Sequence, residues 1–176
     1  MKIFKSNRWM GLLISLIFIF SLCVAFSTAQ EKMKTAGKAT ITYTVQETID
    51  VDDTEGHVLL ISKIEGTNVS TGEHKFMDGA KVVVMGFGDY VKGNGPHLTY
   101  LKMSLNGDVV FAKGKGKTKT TLSPEGKPIS TLEGTATYTK GEGKYKNIQG
   151  GYTYKAKRIS STEIVVEMEG KYFIKE

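Results

Sequence analysis

The sequence has almost no cysteine or tryptophan. Its 176 residues contain one Cys and one Trp, and both Cys23 and Trp9 lie within the first 29 residues. The remainder of the chain therefore has no pair of cysteines that could form a disulfide. Its stability has to come from packing and backbone pairing, even if the protein is exported to an oxidising compartment.

Helical periodicity is also missing. After Gln30, no stretch of ten residues keeps apolar side chains at the three- and four-residue spacing of an amphipathic helix. This absence indicates that the fold is built from β-strands. The 147 residues from Gln30 to the end of the chain show no linker or change in composition, so we expect a single domain.

No set of catalytic residues stands out. No thiol remains beyond residue 29, no Ser lies in a nucleophile-elbow sequence, and the histidines His57, His74 and His97 are scattered. Glu47 or Glu65 could act as an acid or base if the fold buried it, although glutamates usually face solvent. The sequence leaves the question of an enzyme open, favours a noncatalytic protein and gives no sign of a cofactor.

The first 29 residues have the pattern of an export signal. Three basic residues precede an uncharged apolar run at residues 11–26, and residues 27–29 supply the small side chains that a signal peptidase reads. We expect cleavage after Ala29, a secreted or periplasmic protein and no stable membrane insertion afterwards; a retained membrane anchor is the alternative. The leader carries three of the 24 basic residues and none of the 18 acids, so cleavage lowers the formal charge from +6 to +3.

The body of the chain alternates apolar and polar residues with the period of a strand. Ala39, Ile41 and Tyr43 alternate with threonines, for example, which predicts one apolar and one hydroxyl-bearing face. The predicted strands are residues 37–49, 58–65, 81–92, 98–105, 109–121, 129–140, 151–158 and 163–174, with a weaker one at 68–76. Turn-forming residues separate them at Asn94-Gly95-Pro96, Asn106-Gly107, Ser123-Pro124-Glu125-Gly126 and Gly150-Gly151.

Eight or nine antiparallel strands without helices have to protect their own edges. Closure into a barrel removes the edges, and an open sandwich is the alternative. Glycines inside the strand patterns support the bends of a small barrel, because their missing side chains permit close backbone approach. These glycines are Gly86, Gly88, Gly114, Gly116, Gly134 and Gly170. The predicted fold is all-β, an eight-stranded antiparallel β-barrel.

The apolar faces of the strands would line the inside of such a barrel. The candidate lumen residues are Tyr43, Tyr138, Tyr152, Tyr154, Met168 and Tyr172. Their phenol hydroxyls could orient a small, mostly apolar ligand, since an eight-stranded barrel can hold one. The other interpretation is that the rings only fill the interior, with hydroxyls that reach the wet rim.

Three segments carry a resemblance to a known family. They are residues 53–59 (DTEGHVL), residues 132–150, which include LEGTATY and GEGKYKNIQG, and residues 166–172 (VEMEGKY). These segments resemble bacterial secreted proteins with the allene oxide cyclase-like barrel, which is related to plant dirigent proteins. The resemblance implies an eight-stranded barrel with a central cavity, and a homotrimer as in the plant relatives. The catalytic glutamate of the plant cyclases has no counterpart that the sequence identifies, so their activity is not implied.

A short acidic segment offers the metal-binding candidate of this chain. It holds five residues of ligand type within eight positions: Asp50, Asp52, Asp53, Glu55 and His57. The segment departs from a calcium-binding loop, because Glu55 stands where that loop needs glycine. We therefore expect a solvated acidic turn without a metal.

Four lysines recur at every second position in one strand: Lys113, Lys115, Lys117 and Lys119. The strand period places them on one face, where they could attract an anionic envelope polymer or lipid headgroups. Alternatively, they form a solvated outer face that pairs with acids such as Glu163, Glu167 and Glu169. Nucleic acid is not expected as a partner at a charge of +3 without aromatic residues among the lysines.

Three functions follow from these patterns. The leading hypothesis is an exported barrel that binds a small apolar or amphipathic molecule in its lumen without a reaction. The alternatives are an isomerase or cyclase that uses the same lumen and an envelope protein that binds a polyanion through the lysines.

Overall fold

A computed structural model of the protein describes residues 31–176. It forms eight strands, and each pairs with its neighbour in the chain in antiparallel orientation. The strands are β1 (Met33–Asp50), β2 (His57–Ser70), β3 (Lys81–Val91), β4 (Gly95–Leu105), β5 (Asp108–Leu122), β6 (Pro128–Glu142), β7 (Ile148–Arg158) and β8 (Glu163–Ile174). A short 3-10 helix, Gly143–Tyr145, lies between β6 and β7.

The sheet closes because β1 also pairs with β8, from Met33 opposite Tyr172 to Thr42 opposite Glu163. This confirms the predicted closed eight-stranded antiparallel barrel and excludes the open sandwich. The predicted leader, residues 1–29, lies outside the described residues, so its cleavage and the export of the protein stay predictions. Within residues 31–176, no helix is both long and apolar enough to cross a bilayer.

The Asn106-Gly107 turn is confirmed. It connects β4 to β5 in two residues, and both take positive φ, 50° at Asn106 and 88° at Gly107. This conformation matches the right-handed twist of the flanking strands and favours Asn-Gly for steric reasons.

Other predicted boundaries are wrong. Gly150 and Gly151 lie inside β7, and the chain reverses before them, through the 3-10 helix and Asn147. Gly150 takes a φ of 113° within the strand, where a Cβ would lie 2.3 Å from the carbonyl oxygen of Lys171. Its missing side chain therefore serves close strand pairing rather than a turn. Asn94-Gly95-Pro96 also falls late, because the turn is made by Lys92 and Gly93 and β4 already begins at Gly95.

The weak strand predicted at residues 68–76 ends at Ser70. Residues 71–80 instead form a loop, here called the plug loop, that brings Phe76 and Met77 into the end of the barrel, where both are buried. The side-chain amide of Asn68 fixes the loop by donating to the carbonyl oxygens of Phe76 and Met77, at 3.1 and 2.9 Å. We call this end of the barrel the plug end and the opposite end, where β7 finishes at Arg158, the mouth end.

Residues alternate between the lumen and the outer surface as the strand period requires, except at two register shifts, one in β1 and one in the pairing of β5 with β6 at Phe111 and Ala112. The register slips between Tyr43 and Val45. Ile41 and Tyr43 face the lumen, whereas Val45 is 43% exposed on the outside. A bulge adds one residue and so reverses which face the following side chains occupy.

Candidate functional site in the barrel lumen

The plug end of the lumen is filled with aromatic rings. The ring centroid of Phe76 lies 4.9 Å from that of Tyr172, 5.2 Å from that of Tyr145 and 5.7 Å from that of Tyr138. These rings are buried and pack at tilted or edge-on angles, which are the favourable geometries for aromatic pairs. Tyr138 and Tyr172, two of the predicted lumen residues, therefore belong to a packed core.

The mouth half of the lumen holds a cavity of about 100 Å³. Tyr43, Tyr152, Tyr154 and Met168 line it, as the sequence predicted. Most of the other lining residues are aliphatic: Ala39, Ile41, Leu60, Ile64, Val82, Val84, Leu101, Leu132, Ala156, Ile164 and Val166. An apolar cavity of about 150 Å³ holds benzene in another protein, whereas drug-sized ligands need roughly 300 Å³ or more. The observed space is closer in volume to the benzene cavity than to a drug-sized site, and it excludes a long-chain fatty acid.

A hydrogen-bonded chain of polar side chains runs along one wall of the cavity. The Nε2 atom of His97 lies 2.7 Å from the hydroxyl oxygen of Tyr154, and its Nδ1 atom lies 3.1 Å from the Oγ1 atom of Thr118. The Thr118 hydroxyl in turn donates to the hydroxyl oxygen of Tyr90 at 3.3 Å. His97 is buried, with 5% of its surface exposed, and its role was not predicted from the sequence.

The donors and acceptors of this hydrogen-bonded chain run in one consistent direction. Since Thr118 donates to Tyr90, its oxygen accepts from Nδ1–H of His97, and the free Nε2 lone pair of His97 then accepts from the Tyr154 hydroxyl. Burial lowers the pKa of His97, which fits this neutral tautomer. Burial also raises the pKa of Tyr154 to about 12, so its phenol stays protonated near neutral pH.

Two glycines provide the space that the His97 and Tyr154 side chains of the hydrogen-bonded chain occupy. A Cβ on Gly116 would lie 2.6 Å from Nε2 of His97, and a Cβ on Gly134 would lie 2.5 Å from the Tyr154 hydroxyl oxygen. Both contacts are closer than real Cβ atoms allow. Glycines that the sequence associated with bends thus also provide the space in which the His97–Tyr154 pair lies.

A positively charged side chain, Arg158, lies at the mouth end. The Arg158 guanidinium carbon lies 4.8 Å from the ring centroid of Tyr43, and its Nη2 donates to Oε1 of Gln46 at 3.0 Å. Tyr43 thus contributes to the cavity wall and supports the arginine. Burial raises the pKa of Tyr43, and the neighbouring guanidinium opposes that rise.

No Asp or Glu is found among the described residues that line the cavity. Glu47 is exposed on the outer face, opposite Ile61 of β2. Glu65 also faces outward, where the ammonium groups of Lys63 and Lys81 lie 2.5 and 2.9 Å away. Their hydrogen bonds and charges lower the pKa of Glu65 to about 2. Neither glutamate serves the lumen as an acid or base.

The acidic segment forms hydrogen bonds within the protein. His57 contacts Asp53 through Nδ1, and its Nε2 lies 2.8 Å from a carboxylate oxygen of Asp89 on β3. Glu55 pairs with Lys92 at 2.7 Å. Within residues 31–176, no three His, Cys, Asp or Glu side chains are grouped so that they could hold a metal ion. The structure gives no support to a metal site at Asp50, Asp52, Asp53, Glu55 and His57.

The four lysines of β5 are exposed on one outer face, as predicted. Their neighbours differ from those expected, because β5 pairs with β4 and β6, whereas Glu163, Glu167 and Glu169 lie on β8. The register instead forms a row of alternating charge across five strands: Lys117, Glu133, Lys155, Glu167 and Lys38. The glutamates in this row lower the net positive charge of the lysine-bearing face at this level of the barrel.

Comparisons of the chain with protein-family models, curated proteins and solved structures found no match. Its function therefore has to be inferred from the geometry of the barrel.

The signal that could have indicated His97 is its position in β4, where His97, Thr99, Leu101 and Met103 share the inward face.

Proposed function

We propose that the protein binds one small apolar or amphipathic molecule, about the size of a single ring, in the mouth half of its lumen. The observation that supports this is a cavity of about 100 Å³ with aliphatic walls and a polar chain on one side. Ligand sites commonly combine apolar walls with a few fixed polar groups that orient the ligand. Here the Tyr90 hydroxyl is the last group of the hydrogen-bonded chain. It accepts from Thr118, so its own proton can be donated to a ligand.

The same groups favour binding over catalysis. Tyr154 keeps its proton, and His97 has both ring nitrogens engaged, one by Thr118 and one by Tyr154. Within residues 31–176, the cavity wall contains no carboxylate or thiol that could take a proton or attack a substrate. An allene oxide cyclase-like isomerase remains the alternative for this lumen, and the family resemblance remains a prediction.

Association of copies is a further part of the proposal. Ile61, Phe87 and Leu98 are direct cross-strand neighbours on the outer face of β2, β3 and β4, and each is more than 40% exposed. A contiguous apolar surface of this kind is typical of an interface between proteins. The trimer that the resemblance implies would have to cover it.

Calorimetric titration with toluene and phenol tests the binding, with palmitate as a ligand too long for the cavity. We expect one site for each small ring and none for palmitate. Substitution Ala156→Leu should fill the cavity and abolish binding, because Ala156 lines it. Thr153→Leu on the outer face of the same strand is the matched control and should bind normally.

Native mass spectrometry of the protein purified from its own source complements the titration. The spectrum would give the mass of any retained small molecule and the number of copies in the assembly. Failure of both rings to bind, or undiminished binding by the Ala156→Leu variant, would contradict the proposed site.

A further inference from the structure

Arg158 is unusual among the basic residues of this chain. From Gln30 onwards the sequence has 20 lysines and one arginine. That arginine follows Tyr152, Tyr154 and Ala156 on the inward face of β7 and is half-buried. Six lysines pair with carboxylates on the outer surface, whereas within residues 31–176 Arg158 has no carboxylate within 4 Å.

The surroundings of Arg158 hold its guanidinium in place without neutralising it. The ring of Tyr43 stacks against one face, and Gln46 accepts one of its five N–H bonds through a neutral amide oxygen. A partly buried charge without a counterion is costly, and the planar guanidinium fork matches the two oxygens of a carboxylate. The remaining N–H donors of Arg158 are therefore suited to an anionic group of the ligand.

The position of Arg158 relates this charge to the cavity. Tyr43 contacts the arginine with the ring that also borders the cavity, and Ala156, one inward position below Arg158, is part of the cavity wall. A molecule whose ring occupied the cavity would present a substituent on that ring to the guanidinium at the mouth. Its ring would contact aliphatic side chains and its charged group would stay near solvent.

We propose that the ligand is a small monocyclic carboxylic acid bound as its anion, with the ring in the cavity and the carboxylate on Arg158. This inference rests on the proposed function and specifies its ligand class. The oxygens of the carboxylate accept two N–H bonds of the guanidinium, in the geometry that arginine favours and lysine cannot reproduce. Neutral rings of the same size fill the cavity without this contact.

Calorimetry with benzoate and its neutral isostere benzamide tests the inference at pH 7. Hydrogen bonds to a charged group contribute enough that benzoate should bind about ten- to a hundredfold more tightly than benzamide. Arg158→Gln should remove that advantage and leave the affinity for toluene unchanged. Arg158→Lys should recover only part of it. Lys157→Gln removes a neighbouring charge on the outer face and should leave all affinities unchanged.

The outcomes separate this inference from the proposed function. Binding of toluene with equal affinity for benzoate and benzamide, or a benzoate affinity that survives Arg158→Gln, would overturn the role of Arg158 and leave the lumen site intact. Failure of every ring to bind would overturn both. Melting temperatures of the variants show whether each one is folded before the affinities are compared.

Discussion

The two halves of the lumen are built from the same eight strands but have opposite characters. At the plug end, Phe76 and Tyr145 enter from outside the sheet and pack with strand tyrosines. At the mouth end, the described residues that line the lumen all belong to strands, and a cavity remains beside the His97–Tyr154 pair. Strand alternation therefore decides which residues face inward, while the connecting segments decide whether the lumen is filled.

The largest effect is expected from removing the ring that closes the plug end. Phe76→Ala should lower the free energy of unfolding by about 3–5 kcal/mol, because it deletes a buried aromatic side chain that contacts three tyrosines. Urea denaturation followed by circular dichroism would measure the change.

His74→Ala is the control for the plug loop, because His74 is exposed in the same loop. It should change the unfolding free energy by less than about 0.5 kcal/mol. A loss of similar size in both variants would mean that the loop backbone, rather than the Phe76 ring, holds the plug end together.

The barrel could be predicted from the sequence because its cause is local and periodic. Alternation at Ala39, Ile41 and Tyr43 predicts a two-faced strand, and the absence of helices leaves closure as the way to protect the edges. The plug loop could not be predicted in this way. Phe76 and Met77 lie in a polar segment without a period, so nothing in the segment indicates that it turns into the barrel.

The candidate site was predicted only in part, for a different reason. Tyr43 and Tyr154 follow from strand alternation, but the partner of Tyr154 lies 57 residues away on β4. The contact between Tyr154 and His97 depends on the register of three successive strand pairs, β4 with β5, β5 with β6 and β6 with β7. One sequence does not specify these registers, whereas the inward position of Arg158 follows from counting along β7.

An intermediate effect is expected from crowding the mouth half. In Gly134→Ala the new Cβ would lie 2.3 Å from the Lys115 carbonyl oxygen and 2.5 Å from the Tyr154 hydroxyl. Overpacking of this kind costs about 1–3 kcal/mol, so the variant should unfold at a lower urea concentration. Thr135→Ala, on the outer face of the same strand, is the control and should unfold nearly as the wild type does. Equal stability of the Gly134→Ala variant would show that the mouth half can expand, in contrast to the packed plug end.

The smallest effect is a dependence of stability on pH between 5 and 8 that arises from His97 and His57. Because burial lowers the pKa of His97, the unfolded chain binds a proton below about pH 6.5 that the folded barrel resists, so stability should fall as the pH decreases from 6.5 towards the folded pKa. The slope cannot exceed about 1.4 kcal/mol per pH unit for one group. His57 acts in the opposite sense, since hydrogen bonds to Asp53 and Asp89 raise its pKa and its contribution is lost as the pH rises above 6.5. In urea denaturation at pH 5, 6, 7 and 8, the His57→Asn variant should therefore lack the stabilisation that His57 provides as the pH falls from 8 towards 6.5. The His97→Asn variant should lose less stability than the wild type between pH 6.5 and 5. If the His97→Asn variant lost as much stability as the wild type between pH 6.5 and 5, the buried neutral state of His97 would be refuted, because that state is the source of its expected sensitivity to acid.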